Sequence, residues 1–250
     1  MSHALVDIGE PFRQSKTIPK TKAKSLTREA RQLMMTLNAL QDLCNQSKLS
    51  ISISRQLETT LRHSKSPITH ILSLGLGSLR VAQGQTRRLK QLTILLAIRE
   101  QCTRLTGMAV EIYAQDPTFT RTDEIFLASL GISILRTPSS AQLGEAGELI
   151  SSSTLVYSPF LTIEAYEKLF LHPGRLIPVV FGDDFNALAS KWPKHSAERR
   201  QVESVMKSGL SKYRRRVISG AGFWLEEDET FPMALYEVVS NRDARVRAKM

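Results

Sequence analysis

Between residues 68 and 181 the sequence keeps returning to a short, largely apolar run and then leaving it for a different grammar. The runs are Ile68–Leu74 (ITHILSL), Val110–Tyr113, Ile132–Leu135, Thr154–Tyr157 (TLVY) and Leu176–Phe181 (LIPVVF). Continuous apolar runs this short read as strands buried on both faces. A long helix from about Arg87 to Leu105 follows the first run, with a wide apolar face at Leu89, Leu92, Ile94, Leu96, Ala97 and Ile98. Thr120 or Thr122 opens a helix that stops at Gly131, and Thr162–Leu171 reads as another. Strands separated by helices imply a mainly parallel sheet covered on both sides. The predicted fold class is therefore α/β, a Rossmann-like doubly wound sheet with strand order 3-2-1-4-5. Pro178, which has no N–H to give a ladder, points to an edge position or an irregularity in the fifth strand.

The flanks follow other rules. Residues 1–24 lack periodicity and read as a flexible basic arm, and residues 25–65 as a helical N-terminal extension. In that extension Leu26, Ala30, Leu33, Leu37, Leu40 and Cys44 recur every three or four residues. A second helix from Ser52 to Arg62 carries Ile53, Leu57 and Leu61. Residues 66–190 form the Rossmann-like core. Residues 191–250 add a mixed tail to the same domain: a helix over about Ala197–Gly209, a basic segment and a final strand at Met233–Val239.

The chain's 34 Lys and Arg against 24 Asp and Glu give a net charge of +10, concentrated at the ends. Basic residues outnumber acidic ones by seven to three in residues 1–31, fourteen to thirteen in 32–185 and thirteen to eight in 186–250. A nucleic-acid-binding fold carries its positive charge on the folded surface that meets the phosphates. The near-neutral middle therefore argues against a nucleic-acid partner. The runs Lys16-Lys20-Lys22-Lys24 and Tyr213-Arg214-Arg215-Arg216 read as solvated or targeting segments that can attract an acidic protein partner. The longest uncharged stretch, Leu149–Ile163, is 15 residues, short of the roughly 20 that span a bilayer. With no apolar signal segment at the N-terminus either, a soluble cytoplasmic or nuclear protein is expected. Cys44 and Cys102 stand outside any metal-ligand spacing and read as small buried hydrophobes.

Chemistry, if present, belongs at the carboxyl ends of the strands. Gly75-Leu76-Gly77-Ser78 follows the first strand, where glycines let a ligand approach the backbone and the next helix offers free N–H groups. Arg80 occupies the third glycine position of the dinucleotide fingerprint, and the remaining G-x-G resembles the looser loop of S-adenosylmethionine enzymes. The plainer reading of the same residues is a tight strand-to-helix turn without a ligand. Asp116, after the second strand, is in place to accept from ribose hydroxyls or simply to cap a turn with Pro117. Ser158, after the fourth strand, and Asp183, after the fifth, line the same crevice; Asp183-Asp184 could equally bind a cation or basic partner or cap the next helix. His3, His63, His70, His172 and His195 are scattered, with no zinc spacing, nucleophile elbow or phosphate loop. His70 reads as a core histidine. No residue is assigned a catalytic role. S-adenosylmethionine is the first cofactor to test.

In their order along the chain, several of these segments resemble the sensitivity-to-red-light-reduced (SRR) family, and the helical N-terminal lead is similar to that of its fungal-type members. They are Leu74-Gly75-Leu76-Gly77-Ser78, Gln91-Leu92, Ile112-Tyr113 through Asp116-Pro117-Thr118-Phe119, Leu130-Gly131-Ile132-Ser133-Ile134-Leu135, Thr154–Pro159 and Val179–Gly182. The resemblance covers roughly residues 66–190. It implies a Rossmann-like domain and a regulatory association, with light and circadian signalling in plants and with haem biosynthesis and cytoskeletal or proteasome phenotypes elsewhere. It implies no reaction. The chain departs from the family pattern at Phe160, where many members have His, and at Asp183 and Asp184, where many have Asn and Ser. A regulatory protein, non-catalytic or weakly ligand-binding, is the leading expectation; an S-adenosylmethionine-dependent methyltransferase is the alternative.

Overall fold

A computed structural model describes residues 28–62, 64, 66–137, 143–170, 176–225 and 232–239. The arm expected over residues 1–24 and the first residues of the leading helix lie outside the described part. Two helices, α1 (Arg28–Gln46) and α2 (Lys48–Arg62), precede β1 (His70–Leu74). Then come α3 (Gln85–Thr106), β2 (Glu111–Gln115), α4 (Arg121–Ser129), β3 (Ile132–Ile134), α5 (Glu145–Leu149), β4 (Thr154–Ser158), α6 (Ile163–Phe170) and β5 (Val179–Asp183). The chain continues with α7 (Phe185–Lys191), α8 (Ala197–Ser204), a π turn over Val205–Gly209, β6 (Tyr213–Ile218) and β7 (Met233–Val238).

The seven strands form one sheet in the order β3-β2-β1-β4-β5-β7-β6. The first five are parallel in the expected 3-2-1-4-5 arrangement, and β7 runs antiparallel between β5 and β6. The tail thus completes the sheet, which corrects two readings. Pro178 does not mark an edge: β5 lies between β4 and β7. Pro178 precedes the first strand residue and its carbonyl accepts from Val238 N–H at 3.1 Å, so the missing N–H costs the ladder nothing. The basic run Tyr213–Arg216 is no solvated segment but the start of edge strand β6. Alternate side chains of a strand face opposite sides, so Arg214 and Arg216 both reach Glu237, at 3.1 and 2.8 Å. Arg215 meets the buried Asp184 through two bonds of 2.6 and 2.5 Å.

One face of the sheet packs Ile71, Leu155, Tyr157, Phe181 and Leu235 against α3, and α1 and α2 cover α3 from outside. That sandwich explains why α3 is apolar around most of its circumference: Leu92, Ile94, Leu95 and Ile98 are all fully buried. The extension's Leu33, Leu37, Leu49, Ile53 and Leu57 belong to the same core. Burial raises the Cys44 and Cys102 thiols to about 11 and about 12, which leaves them unreactive. The opposite face packs Leu72, Val156, Val180 and Tyr236 against α6, α7 and α8. His70 is bound at both ring nitrogens, Nε2 to Leu149 O at 2.8 Å and to Thr154 Oγ1 at 2.7 Å, Nδ1 to Thr69 Oγ1 at 3.0 Å. It pins β1 to β4. Among the described residues no helix is long and apolar enough to cross a membrane.

The Arg215–Asp184 pair makes a first test. Asp184 is 3% exposed, so Arg215→Ala leaves a buried carboxylate without its cation. A fully buried broken pair costs roughly 3–5 kcal/mol. With the Arg215 side chain 32% exposed, about 2 kcal/mol is expected in urea unfolding. Adding Asp184→Asn, which keeps the helix cap, should recover most of that loss.

Candidate functional site

An open α/β sheet has its crevice where the chain reverses strand order, here between β1 and β4 at the strands' carboxyl ends. The loops after β1, β2, β4 and β5 meet there. The residues singled out from the sequence fall into two hydrogen-bonded groups, Gly75, Gly77, Ser78 and Asp116 in one, Ser158 and Asp183 in the other.

In the first group, Gly75 and Gly77 have φ of +76° and +77°, a region side chains rarely adopt. Each also lies under one of the protein's own side chains. A Cβ on Gly75 would come within 2.4 Å of Leu161 Cδ2, and one on Gly77 within 2.6 Å of Arg88 Cδ. Arg88 is held by its guanidinium to the carbonyls of Val81 and of Gln83, the latter at 2.8 Å. Asp116 points into the loop. Its Oδ2 accepts from Gly77 N–H at 2.8 Å, and its Oδ1 from the Thr118 N–H and hydroxyl at 2.8 and 2.6 Å. Ser78 N–H donates to Thr118 Oγ1 at 3.0 Å, and its hydroxyl to Asp123 Oδ2 at 2.8 Å. Asp123, 1% exposed, also accepts from Leu79 N–H at 2.9 Å and from Thr120 N–H and Oγ1 at 2.8 and 2.7 Å. With Thr120 it makes the capping box of α4.

The second group centres on Tyr166 of α6. Its hydroxyl touches the Ser158 carbonyl, lies 3.1 Å from Asp183 Oδ2, and accepts from Asp183 N–H at 3.2 Å. A Cβ on Gly182 would come within 2.9 Å of that hydroxyl. Phe160 N–H donates to both Asp183 oxygens, at 3.1 and 3.0 Å, and these bonds hold Phe160 at φ +66°. A non-glycine residue there is strained by about 1 kcal/mol or more. The Phe160 ring meets Trp224 edge-on at 6.4 Å and lies 5.8 Å below the Arg87 guanidinium. Burial raises Asp183 to about 6, against the lowering effect of the Phe160 and Tyr166 bonds. Asp184 caps α7 through Asn186 N–H at 3.1 Å. The Ser158 side chain is fully buried, and its hydroxyl has no hydrogen-bond partner among the described residues.

The arrangement fills the glycine turn with the protein's own groups, while a cavity of about 1050 Å³ opens on the other side of Asp116, between α4 and the end of β3. The glycines receive protein side chains, Asp116 and Asp123 spend their oxygens on backbone and hydroxyl donors, and Phe160 with Leu161 folds over the strand ends. Among the described residues no three of His, Cys, Asp and Glu gather to hold a metal. Sequence reasoning missed Asp123, Tyr166, Arg88 and Leu161. The pattern Thr120-Arg121-Thr122-Asp123 fits a capping box and could have found Asp123; the other three carry no local signal.

The fold defines a Rossmann-like α/β protein with a mixed, mainly parallel sheet. The SRR1 domain family model matches residues 37–230, and the chain belongs to that family. No curated protein sequence matches it. Among solved structures it is similar to cofactor-bound Rv0187 from MTB, at 10% identity and TM-score 0.45 over 86% of this chain and 92% of that one. It is also similar to the O-methyltransferase TomG from Streptomyces achromogenes in complex with SAM, at 12% identity and TM-score 0.41 over 82% and 90%. The fibrillarin/Nop5p complex matches at 12% identity and TM-score 0.39 over 74% and 81%.

Two outcomes follow from the carboxylates. Asp123→Ala orphans several buried donors at once and should cost about 3 kcal/mol or more in urea unfolding. The acid Asp183 titrates higher folded than its ordinary 3.8. The native state therefore keeps a proton that the unfolded chain loses first. Its stabilising contribution is complete below pH 3.8 and is lost as pH rises through about 6. Asp183→Asn should gain on the wild type in urea midpoint between about pH 4 and 7; a constant difference would mean that Asp183 titrates normally.

Proposed function

We propose that this SRR1-domain protein acts as a regulatory scaffold that is non-catalytic or at most weakly ligand-binding. The observation that carries this reading is that the protein's own side chains and hydrogen bonds occupy the glycine turn. Leu161 and Arg88 occupy the room beside Gly75 and Gly77, and Asp116 accepts from Gly77 and Thr118. A ribose would have to share the acid with these donors. A role in light, clock or haem-related regulation, of the kind the family resemblance implies, needs a partner rather than a substrate. An acidic protein is the partner to seek. Arg214, Arg215 and Arg216 already face Asp184 and Glu237, so attraction rests on Lys16, Lys20, Lys22 and Lys24. The cytoplasm and the nucleus are the compartments to examine.

The second reading is an S-adenosylmethionine-dependent methyltransferase. It is favoured by the sheet order, with a reversed strand between β5 and β6, and by the Ser158-Pro159-Phe160 loop after β4. Such an enzyme works by alignment and needs no strong base. Against it, the buried Ser158 hydroxyl is out of reach of a target nitrogen.

Thermal unfolding with S-adenosylmethionine, S-adenosylhomocysteine, NAD(P) or haem separates the two. A ligand at one hundred times its dissociation constant adds about 2.7 kcal/mol, or about 5–10 °C in a chain of this size. The scaffold reading expects no such shift with any of them. A shift with S-adenosylmethionine that Asp116→Ala removes would overturn it in favour of the enzyme.

A further inference from the structure

The sheet has two borders, β3 and β6. An open border offers unpaired backbone groups to another strand, and a very short border strand is one way of blunting it. β3 is blunted in this way: it has three residues, and its Ile132 is 2% exposed. β6 runs for six residues with no proline and no break in its register with β7.

The register identifies the groups that β6 leaves open. Lys212 O accepts from Val239 N–H at 2.9 Å. Backbone groups alternate in direction along a strand, so Arg214, Arg216 and Ile218 turn theirs toward β7, and Tyr213, Arg215, Val217 and Ser219 turn theirs outward. At the two ends the outward N–H groups are taken, Tyr213 by Leu210 O at 2.9 Å and Ser219 by Ser52 Oγ at 3.0 Å. Between them, the N–H and C=O of Arg215 and of Val217 have no partner among the described residues. Both residues are exposed, Val217 by 49%.

Charge selects what fits this edge. From Val205 to Ile218 the chain holds Lys207, Lys212 and three arginines, and no acid. Arg215 is held by Asp184, and Arg214 and Arg216 by Glu237. Lys212, exposed where the strand begins, has no carboxylate partner among the described residues. Pairing β6 with its copy from a second chain would set two such cationic strands side by side, and like charges across a ladder are destabilising. An acidic strand would instead be attracted. Val217, near the other end, suits an apolar neighbour.

We propose that β6 is the docking edge for an extended acidic peptide of a partner protein, which lengthens the sheet by one strand. Its backbone pairs with Arg215 and Val217, an acidic side chain lies at the Lys212 end, and an apolar one packs on Val217. The proposal gives a place to the acidic partner of the scaffold reading, and it rests on that reading for the partner's charge. No residue of the crevice takes part.

Titration of the isotope-labelled full chain, followed through its backbone amide resonances, tests it. The probes are the capped peptide Glu-Val-Glu-Val-Glu-Val, its Lys-Val counterpart, and the acidic peptide with every amide N-methylated. The acidic peptide is expected to shift the Arg215 and Val217 amides with a dissociation constant below about 1 mM. The other two should bind at least about tenfold more weakly. Val217→Pro removes an outward N–H and leaves the ladder to β7 whole, so the chain should still fold while affinity falls at least about tenfold. Should that variant fail to fold, Lys212→Glu, on an exposed side chain, is expected to weaken the acidic peptide by a similar factor and to strengthen the Lys-Val one. No shift at about 5 mM acidic peptide, equal binding of the N-methylated form, or unchanged affinity in the variants would each overturn the proposal. A dimer in light scattering that Val217→Pro dissolves would also overturn it, giving the edge to a second copy. A rise in melting temperature with S-adenosylmethionine would count against the scaffold reading alone, and absent peptide binding against this proposal alone.

Discussion

Asp123 lies in the first turn of α4 and gathers Ser78 Oγ, Leu79 N–H, and the N–H and hydroxyl of Thr120 around one carboxylate. A buried carboxylate is tolerable only when its lone pairs are met, and meeting these draws the loop after β1 onto the start of α4. Asp116 adds the second stitch, from the end of β2 to Gly77 N–H. The two loops that would flank a ligand are thereby joined to each other. The shape of the crevice follows: the glycine turn is fixed in its left-handed form, and Arg88 and Leu161 settle against it.

A comparable logic governs the other side of the strand ends. Tyr166 and Asp183 bridge α6, β4 and β5 and hold Phe160 in a conformation it would not choose alone. Strain held by a buried carboxyl that titrates near 6 links this loop to pH. The same pair explains the glycine at 182, since the Tyr166 hydroxyl stands where a Cβ would be.

The helical layer obeys a different constraint. α3 is apolar on both the side that meets the sheet and the side that faces outward, so it needs a second cover, and α1 and α2 supply it. The cover is incomplete. Where α1 and α2 part over the later turns of α3, the polar residues Asn45, Ser54, Glu100 and Gln101 front a cleft instead of a core. A helix that had to be buried twice thus leaves a polar chamber at the seam of its cover.

Periodicity and punctuation alone determined much here. The apolar runs gave five parallel strands, Gly131 and Thr120 bounded α4, and the wide apolar face of residues 89–98 marked a helix buried on more than one side. Those are local properties, written in spacing and in φ preference. The arginines of β6 were read as solvated, because the carboxylates that neutralise them, Asp184 and Glu237, are distant in sequence or on a neighbouring strand. Pro178 signals an edge or an irregularity, because nothing local says that the tail returns to pair beyond β5. The crevice residues could be named from their position after strands, yet their use of Asp116 and Asp183 on the protein's own N–H groups depends on which donors tertiary packing brings within 3 Å.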